Sequence, residues 1–469
     1  MKMKPSAYLL AVKPHLRALI DELNAEYPYV SIFAQDSLSM QCSVSRSGVT
    51  AAESAMLTNR GFVLRVHNGQ GYAEYSFNYI SADTISEIAD RVRAIAATIQ
   101  GNDPIPTDEP ACESRALEYA LDPEEMGCEE IVKRLTDLRT KALSKSEQLL
   151  DAAARLVWQK SHRMFLSPNR DLMDDMLFTN GSIVAMAARG EEIKDYYKGF
   201  SGLCGAELFD EMMDDRVLDE IVSTVIALLD SQPIPPGEYD CICSPETTGM
   251  IVHEAFGHGV EMDMFVKNRA LAREYVGKRV ASDLVNMHDG AAAARECASF
   301  LFDDEGTLGM DTHVIEKGFL VGGYADAVSA ARLNIKPTGN GRRESFERKA
   351  YTRMTNTFFE GGTDSVEDMI ASIKYGFMLE NPSSGMEDPK NWGIQCMVNF
   401  AREIRDGRLT GRIFSPIVLT GYVPDLLKSI SMMSPDVRLG GGGFCGKGYK
   451  EWVKVSDGGP YMKARIRLG

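Results

Sequence analysis

His253-Glu254-Ala255-Phe256-Gly257-His258 places two imidazoles and a carboxylate within six residues. Neutral imidazoles bind a borderline-soft divalent ion such as zinc, and a glutamate beside them is placed to take a proton from a metal-activated water. The pattern resembles the H-E-x-x-H of zinc peptidases with one extra residue between the histidines. On a helix, residues four apart are separated by about 40° around the axis and residues five apart by about 140°. Both rings reach one ion only if the helix loosens or ends between them. Gly257 tolerates unusual backbone angles and is expected to supply that bend. A plainer alternative is a buried helix terminus with two hydrogen-bonded histidines, so a third ligand is needed to decide.

Near the C-terminus, Gly440-Gly441-Gly442-Gly443-Phe444-Cys445-Gly446-Lys447-Gly448 surrounds a single cysteine with glycine. Such a segment can bring its backbone close to another element. A Cys445 thiolate would suit zinc at about 2.3 Å, with Lys447 or the metal lowering its pKa. Gly441 to Lys447 also has the G-x-x-x-x-G-K spacing of a phosphate loop. Gly448 then stands where a magnesium-binding hydroxyl belongs, and residues 434–439 make a poor buried strand, which argues against that reading. A glycine-rich turn with an inert cysteine is the remaining alternative.

The elements that must position these groups fall into three segments. Residues 1–105 form an expected N-terminal α+β domain. It has an amphipathic helix over 16–27, strands over 29–49 and 61–77, and a helix over 84–99. Asn102-Asp103-Pro104-Ile105-Pro106-Thr107 reads as a linker. Residues 106–232 form an expected middle α+β domain, with a long helix over 131–156, strands near 163–166 and 181–189, and a helix over 216–231. Pro233-Ile234-Pro235-Pro236-Gly237 marks the next boundary. Residues 233–469 form the C-terminal domain that holds every metal candidate, with strands near 311–321, 352–359 and 394–404. The fold class is α+β, with antiparallel sheet dominating the C-terminal domain that carries the motif helix.

Taken together, these motifs resemble the TldD/PmbA family of metallopeptidases, once named modulators of DNA gyrase, and its metal-bearing branch in particular. The resemblance rests on residues 253–258 with Gly259 and Glu261, then Asp303-Asp304-Glu305-Gly306, Arg353-Met354-Thr355-Asn356-Thr357 and the segment around Cys445, in the family's order. Ser47-Gly48-Val49 and Gly61-Phe62-Val63-Leu64-Arg65-Val66 match more loosely. Glu387 to Gly393 departs from the Gly/Asn/Pro turn of many members. The resemblance implies zinc held by His253, His258 and Cys445, with Glu254 as catalytic base. It also implies dimers, often of one metal-bearing and one metal-free PmbA-type subunit, that enclose the site away from folded proteins. Family members are linked to peptide-antibiotic maturation and antitoxin turnover.

Composition is compatible with such a protein. The chain has 469 residues, 44% hydrophobic and 25% charged, which is ordinary for a soluble globular protein with two or three domains. A net charge of −16 and the lack of any basic run argue against nucleic acid. Nine scattered cysteines lack the spacing of a disulfide framework and favour a reducing compartment. Met1-Lys2-Met3-Lys4 precedes an apolar run over 7–12 that Lys13 and His15 end too early for a secretory signal. No apolar stretch approaches a membrane span. A cytoplasmic protein without membrane contact is expected.

Other residues are read blandly. His288 and His313 are taken as surface or core residues rather than ligands, and Asp303-Asp304-Glu305 as a turn at Gly306 rather than a calcium loop. Arg353 is expected to be salt-bridged and Tyr324 packed. The resulting expectation is a zinc-dependent peptidase acting on extended or unfolded peptides, with a water in the fourth zinc position. The alternative is a non-catalytic zinc-bearing subunit, structural or regulatory, that scaffolds a partner. Glu254 discriminates, because a purely structural site has no need of it.

Overall fold

The computed structural model describes residues 1–447 and 451–469; Gly448, the last residue of the glycine-rich run, lies outside them. Helix α1 (Ala7–Asn24) starts where the Ser6 hydroxyl accepts the Leu9 N–H. It therefore begins well before residue 16, absorbing Pro14 and the apolar run expected to stand apart. Strands β1 (Tyr29–Ser45), β2 (Gly48–Ala52), β3 (Asn59–His67) and β4 (Tyr72–Phe77) follow, then helix α2 (Ile85–Ala96). After β5 (Ala111–Ala116) come helix α3 (Pro123–Leu143) and the strands β6 (Leu149–Leu166), β7 (Arg170–Arg189) and β8 (Glu192–Gly202).

These strands make one eight-stranded sheet in the order β4-β3-β1-β6-β7-β5, with β2 beside β1 and β8 beside β7. The two N-terminal segments therefore share a sheet, and the division at residue 105 falls inside it. The reason is the length of β1, which pairs with β6 from Ile32↔Leu166 to Val44↔Ala154. The helix expected over 131–156 ends at Leu143, and its last part is β6. Leu149 to Leu156 pair with β7, and Ala154 onward also with β1. Ladder bonds to β7, joined from Ala154 by those to β1, outweigh the helix preference of three successive alanines. Helices α1 and α2 bury Leu16, Leu19, Leu23, Ile88 and Val92 against Ile32, Leu64 and Val66, while α3 buries Ile131, Leu135 and Leu138 over the other part of the sheet.

The C-terminal region is rich in antiparallel sheet, as expected for this α+β fold. Strands Tyr375–Asp388, Gly237–Cys243, Met462–Leu468, Ile417–Tyr422 and Gly393–Arg405 are neighbours in that order, and the first also pairs with the last, so the sheet closes into a ring. A second, six-stranded sheet includes Thr312–Glu316, Met287–Asp289, Asn356–Phe359 and Ser456–Gly459 as successive neighbours. A separate hairpin pairs Phe444–Lys447 with Glu451–Lys454 and sets Cys445 opposite Val453. Cys241 and Cys243 are both buried in the larger core, and every one of the nine cysteines is free. No helix among the described residues is long and apolar enough to cross a membrane.

The N-terminal sheet is tied to the C-terminal region by buried ion pairs. Arg65 on β3 bonds to Glu74 on β4 at 2.7 Å and to Glu305 at 2.5 Å, and Arg343 reaches the same Glu74 oxygen at 3.1 Å. Burial pushes the Glu74 carboxyl up, but the two guanidiniums outweigh it and hold it at about 2. A carboxyl depressed in the folded state adds stability above its unfolded pKa of 4.5 that is lost as pH falls toward 2. Glu74→Gln should therefore cost about 3 kcal/mol at neutral pH, with the difference from wild type shrinking between pH 4.5 and 2. Urea unfolding of both proteins at pH 7 and pH 3 reads this directly. An equal gap at the two pH values would contradict it.

Candidate metal centre

The motif begins as an ordinary helix. The Ser244 hydroxyl accepts the Thr247 N–H, Pro245 occupies the first turn, and the helix Pro245–Ile251 runs into the motif. Val252–Gly257 is then a π-helix, followed by one 3₁₀ turn at His258–Val260. In a π-turn each hydrogen bond spans one more residue, so residues five apart stack as residues four apart do in an α-helix. That widening brings His253 and His258 onto one side, with ring centroids 5.2 Å apart and planes at 87°. The helix does loosen between the histidines, as their spacing demands.

Gly257 does not make the bend. Its φ of −57° is ordinary helix, so the expectation of an unusual conformation there is corrected. Glycine is needed for space, because a Cβ at this position would lie 2.4 Å from Met354 Sδ. Gly257→Val should thus act by overpacking, lowering stability by about 1–3 kcal/mol and loosening the metal centre. Thermal unfolding of the metal-free variant measures the first effect and a zinc titration the second. Wild-type values in both would show that Met354 simply moves aside.

Cys445 arrives from the hairpin and lies opposite the motif across 187 residues of chain, its Sγ 3.4 Å from His258 Nε2. One ligand atom from each of His253, His258 and Cys445 lies within 4.8 Å of the others. Donors about 2.0–2.3 Å from one tetrahedral ion lie about 3.3–3.8 Å apart, and the 3.4 Å between Cys445 Sγ and His258 Nε2 falls in that range. Burial pushes the Cys445 thiol up, and the two imidazoles outweigh it, holding it at about 4. Burial pushes His253 down, and the thiolate outweighs it, raising the ring to about 9. Lys447, expected to act on the thiol, instead contacts Glu261 at 3.0 Å and Asp263 at 2.6 Å.

The outer nitrogens of both rings face carboxylates. His258 Nδ1 is 3.1 Å from Glu261 Oε2, and His253 Nδ1 is 3.7 Å from Asp457 Oδ2. His253 Nδ1 is buried without a hydrogen bond among the described residues. Burial pushes Glu261 up, but Lys447 and His258 hold it at about 2, so it stays a carboxylate beside the imidazole. Metal-binding imidazoles characteristically have such a partner behind them, which fixes the tautomer and orientation. Glu261 was visible in the sequence three residues after His258 but carried no assigned role. Asp457 had no local signal at all.

Glu254 is half-buried, and its carboxylate makes no hydrogen bond among the described residues. Its stem rests on strand Tyr375–Asp388, where a Cβ on Gly385 would lie 2.3 Å from Glu254 Cγ. Two residues further on, Glu387 brings a second carboxyl beside Gly259, and neither oxygen has a hydrogen-bond partner among the described residues. Burial raises Glu387 well above the usual carboxylate range. Arg353 is fully buried and donates to the Cys445 and Glu451 carbonyls, pinning the hairpin, with Glu261 also 3.9 Å away. The Tyr324 hydroxyl donates to the Gly257 carbonyl and holds the motif turn. Both residues shape the site rather than face it, which agrees with their bland reading. Asp303 likewise accepts the N–H groups of Glu305, Thr307 and Gly341, closing a turn in which Gly306 has φ +82°. His288 and His313, read as separate residues, are brought together, with ring centroids 4.3 Å apart.

Residues 236–466 match the PmbA/TldA metallopeptidase C-terminal domain. A metalloprotease of Methanocaldococcus jannaschii is 33% identical over 252 residues, which are 53% of this chain and 55% of that protein. The matched region thus spans about half the length of that relative. A zinc metalloprotease TldD homolog of Saccharolobus solfataricus is 28% identical over 65% of this chain and 68% of its own length. The crystal structure of TldE from Thermococcus kodakarensis superposes with a TM-score of 0.76 at 16% identity, covering 97% of this chain and all of that one, which establishes a shared fold.

Proposed function

Since its C-terminal half places this chain in the TldD/PmbA family, we propose that it is a zinc-dependent peptidase acting on extended or unfolded peptides. One observation carries the reading: three donors of the right chemistry converge, each ring facing a carboxylate, next to a glutamate that makes no hydrogen bond among the described residues. His253, His258 and Cys445 would hold the ion. Zinc there would supply Lewis-acid activation of water and of the scissile carbonyl.

The remaining steps belong to the chain itself. Glu254 takes the proton of the attacking water and returns it to the departing amine, a role open to a carboxylate that no cation or N–H among the described residues already occupies. Glu261 and Asp457 keep the imidazoles oriented. The strand that supports Glu254 also borders an open groove of about 810 Å³ lined in part by Met386, Glu387, Ile394 and Tyr422, a size suited to an extended peptide. Pairing with a second copy, or with a metal-free PmbA-type relative, would complete the enclosure. A cytoplasmic setting suits the nine free cysteines.

The test is metal analysis of the purified chain together with hydrolysis of an unfolded peptide, by the chain alone and mixed with a metal-free relative. Chelation should abolish hydrolysis and added zinc restore it. A zinc-loaded chain inactive in both settings would overturn the peptidase reading in favour of a scaffolding subunit.

A further inference from the structure

His288 and His313 are register partners on the adjacent strands Met287–Asp289 and Thr312–Glu316. Asp311 stands just before the second strand and presents one oxygen to each ring. Its Oδ1 is 2.8 Å from His288 Nδ1, and its Oδ2 is 3.9 Å from His313 Nε2. The other nitrogen of each ring meets a different carboxylate. His288 Nε2 is 2.8 Å from Glu360 Oε1, and His313 Nδ1 is 3.3 Å from Glu316 Oε1.

A neutral imidazole has one N–H and one lone pair. Asp311 Oδ1 can only accept, so its 2.8 Å contact with His288 Nδ1 needs a proton or a cation between them; with the N–H groups on Glu360 and Glu316, a bound ion takes that place, facing the lone pairs of His288 Nδ1 and His313 Nε2. Carboxylates behind the rings are the outer partners that metal-binding histidines use. One ligand atom from each of His288, Asp311 and His313 lies within 4.8 Å of the others. His288 is buried and stacks on Phe358 at 5.2 Å and 10°, which fixes its ring. The Asp311 and His313 side chains are 43% and 49% exposed, so an ion can enter from solvent.

The geometry points to a second site, in which His288, His313 and Asp311 bind a divalent first-row transition ion such as zinc. Two nitrogens and one oxygen with open positions to water make a harder ligand set than the sulfur-containing centre, and Asp311, Glu316 and Glu360 supply a negative surround for the cation. The site sits on the same six-stranded sheet as Asp457, with strand Asn356–Phe359 between the two. It stands independently of the peptidase reading.

The test uses the full chain, stripped by chelator and titrated with zinc and, in parallel, with cobalt. Wild type should take two equivalents, of which only one gives a sulfur-to-cobalt absorption band. His313→Ala and Asp311→Asn should each weaken the sulfur-free equivalent by about tenfold or more and leave the band intact. Cys445→Ser should remove the band and leave the second equivalent. A single equivalent untouched by His313→Ala and Asp311→Asn, or a second one that survives both, would overturn the proposal. A chain whose only ion is lost in His313→Ala and kept in Cys445→Ser would support this site while defeating the peptidase reading.

Discussion

Cys445→Ser is expected to lower zinc affinity at the His253 and His258 centre by more than about a hundredfold and to abolish peptide hydrolysis. Loss of a mere outer partner of a ligand costs about 10–100-fold in metal affinity, and a ligand itself counts for more. A neutral hydroxyl replaces a group that two imidazoles already hold as a thiolate, with a pKa of about 4. The fold should survive, because Arg353 grips the backbone carbonyl of this residue rather than its side chain. Cys396→Ser, at a buried thiol on strand Gly393–Arg405, is the control and should leave metal affinity unchanged. Acid should release the ion from the wild-type centre, since protons compete for the thiolate and both imidazoles. The measurement is a zinc titration against a chelator, followed by a peptide assay. A serine variant with wild-type affinity and activity would remove the third ligand and leave the two histidines without an explanation.

Glu254→Gln should separate binding from chemistry. The amide has the same shape as the carboxylate, so the close packing against Gly385 is kept and the site need not rearrange. Zinc content should stay at the wild-type level, while kcat falls by about 10²–10⁴, the usual contribution of a positioned acid–base group. Unchanged turnover would sink the proton-transfer role. Loss of zinc along with activity would instead make Glu254 a ligand.

How much of this was legible before folding differs from residue to residue. The motif histidines declared their chemistry by type, and their five-residue spacing declared that the helix could not be regular there. The way it departs from regularity was not legible. Gly257 looked like the hinge, yet its backbone is helical and the π-turn over Val252–Gly257 does the work. Strand β6 shows the same limit on a larger scale, since the stretch from Leu149 to Leu156 satisfies a helical pattern. It becomes a strand because β7 offers it a partner along its length and β1 a second one from Ala154 onward. Lys447 lies two residues after Cys445 on one strand and so shares its face, but which acid it would meet depended on where Glu261 was placed.

The sequence by itself determined the chemistry available: two imidazoles, one thiol within a glycine-rich segment and one adjacent carboxylate, in an acidic α+β chain with no apolar stretch long enough to span a membrane. Those are properties of residue type and short spacing, which local stereochemistry transmits directly. Only the tertiary structure decided that Asp457 backs His253, that Arg353 anchors the Cys445 hairpin, and that His288 and His313 share a carboxylate. Each of these depends on strand register. The pairing of His288 with His313 follows a register shift beside Met287, and a slip of one residue would have turned one ring to the opposite face. Register is set by the burial of whole faces and by long-range hydrogen bonding, and neither quantity exists until the distant segments have met.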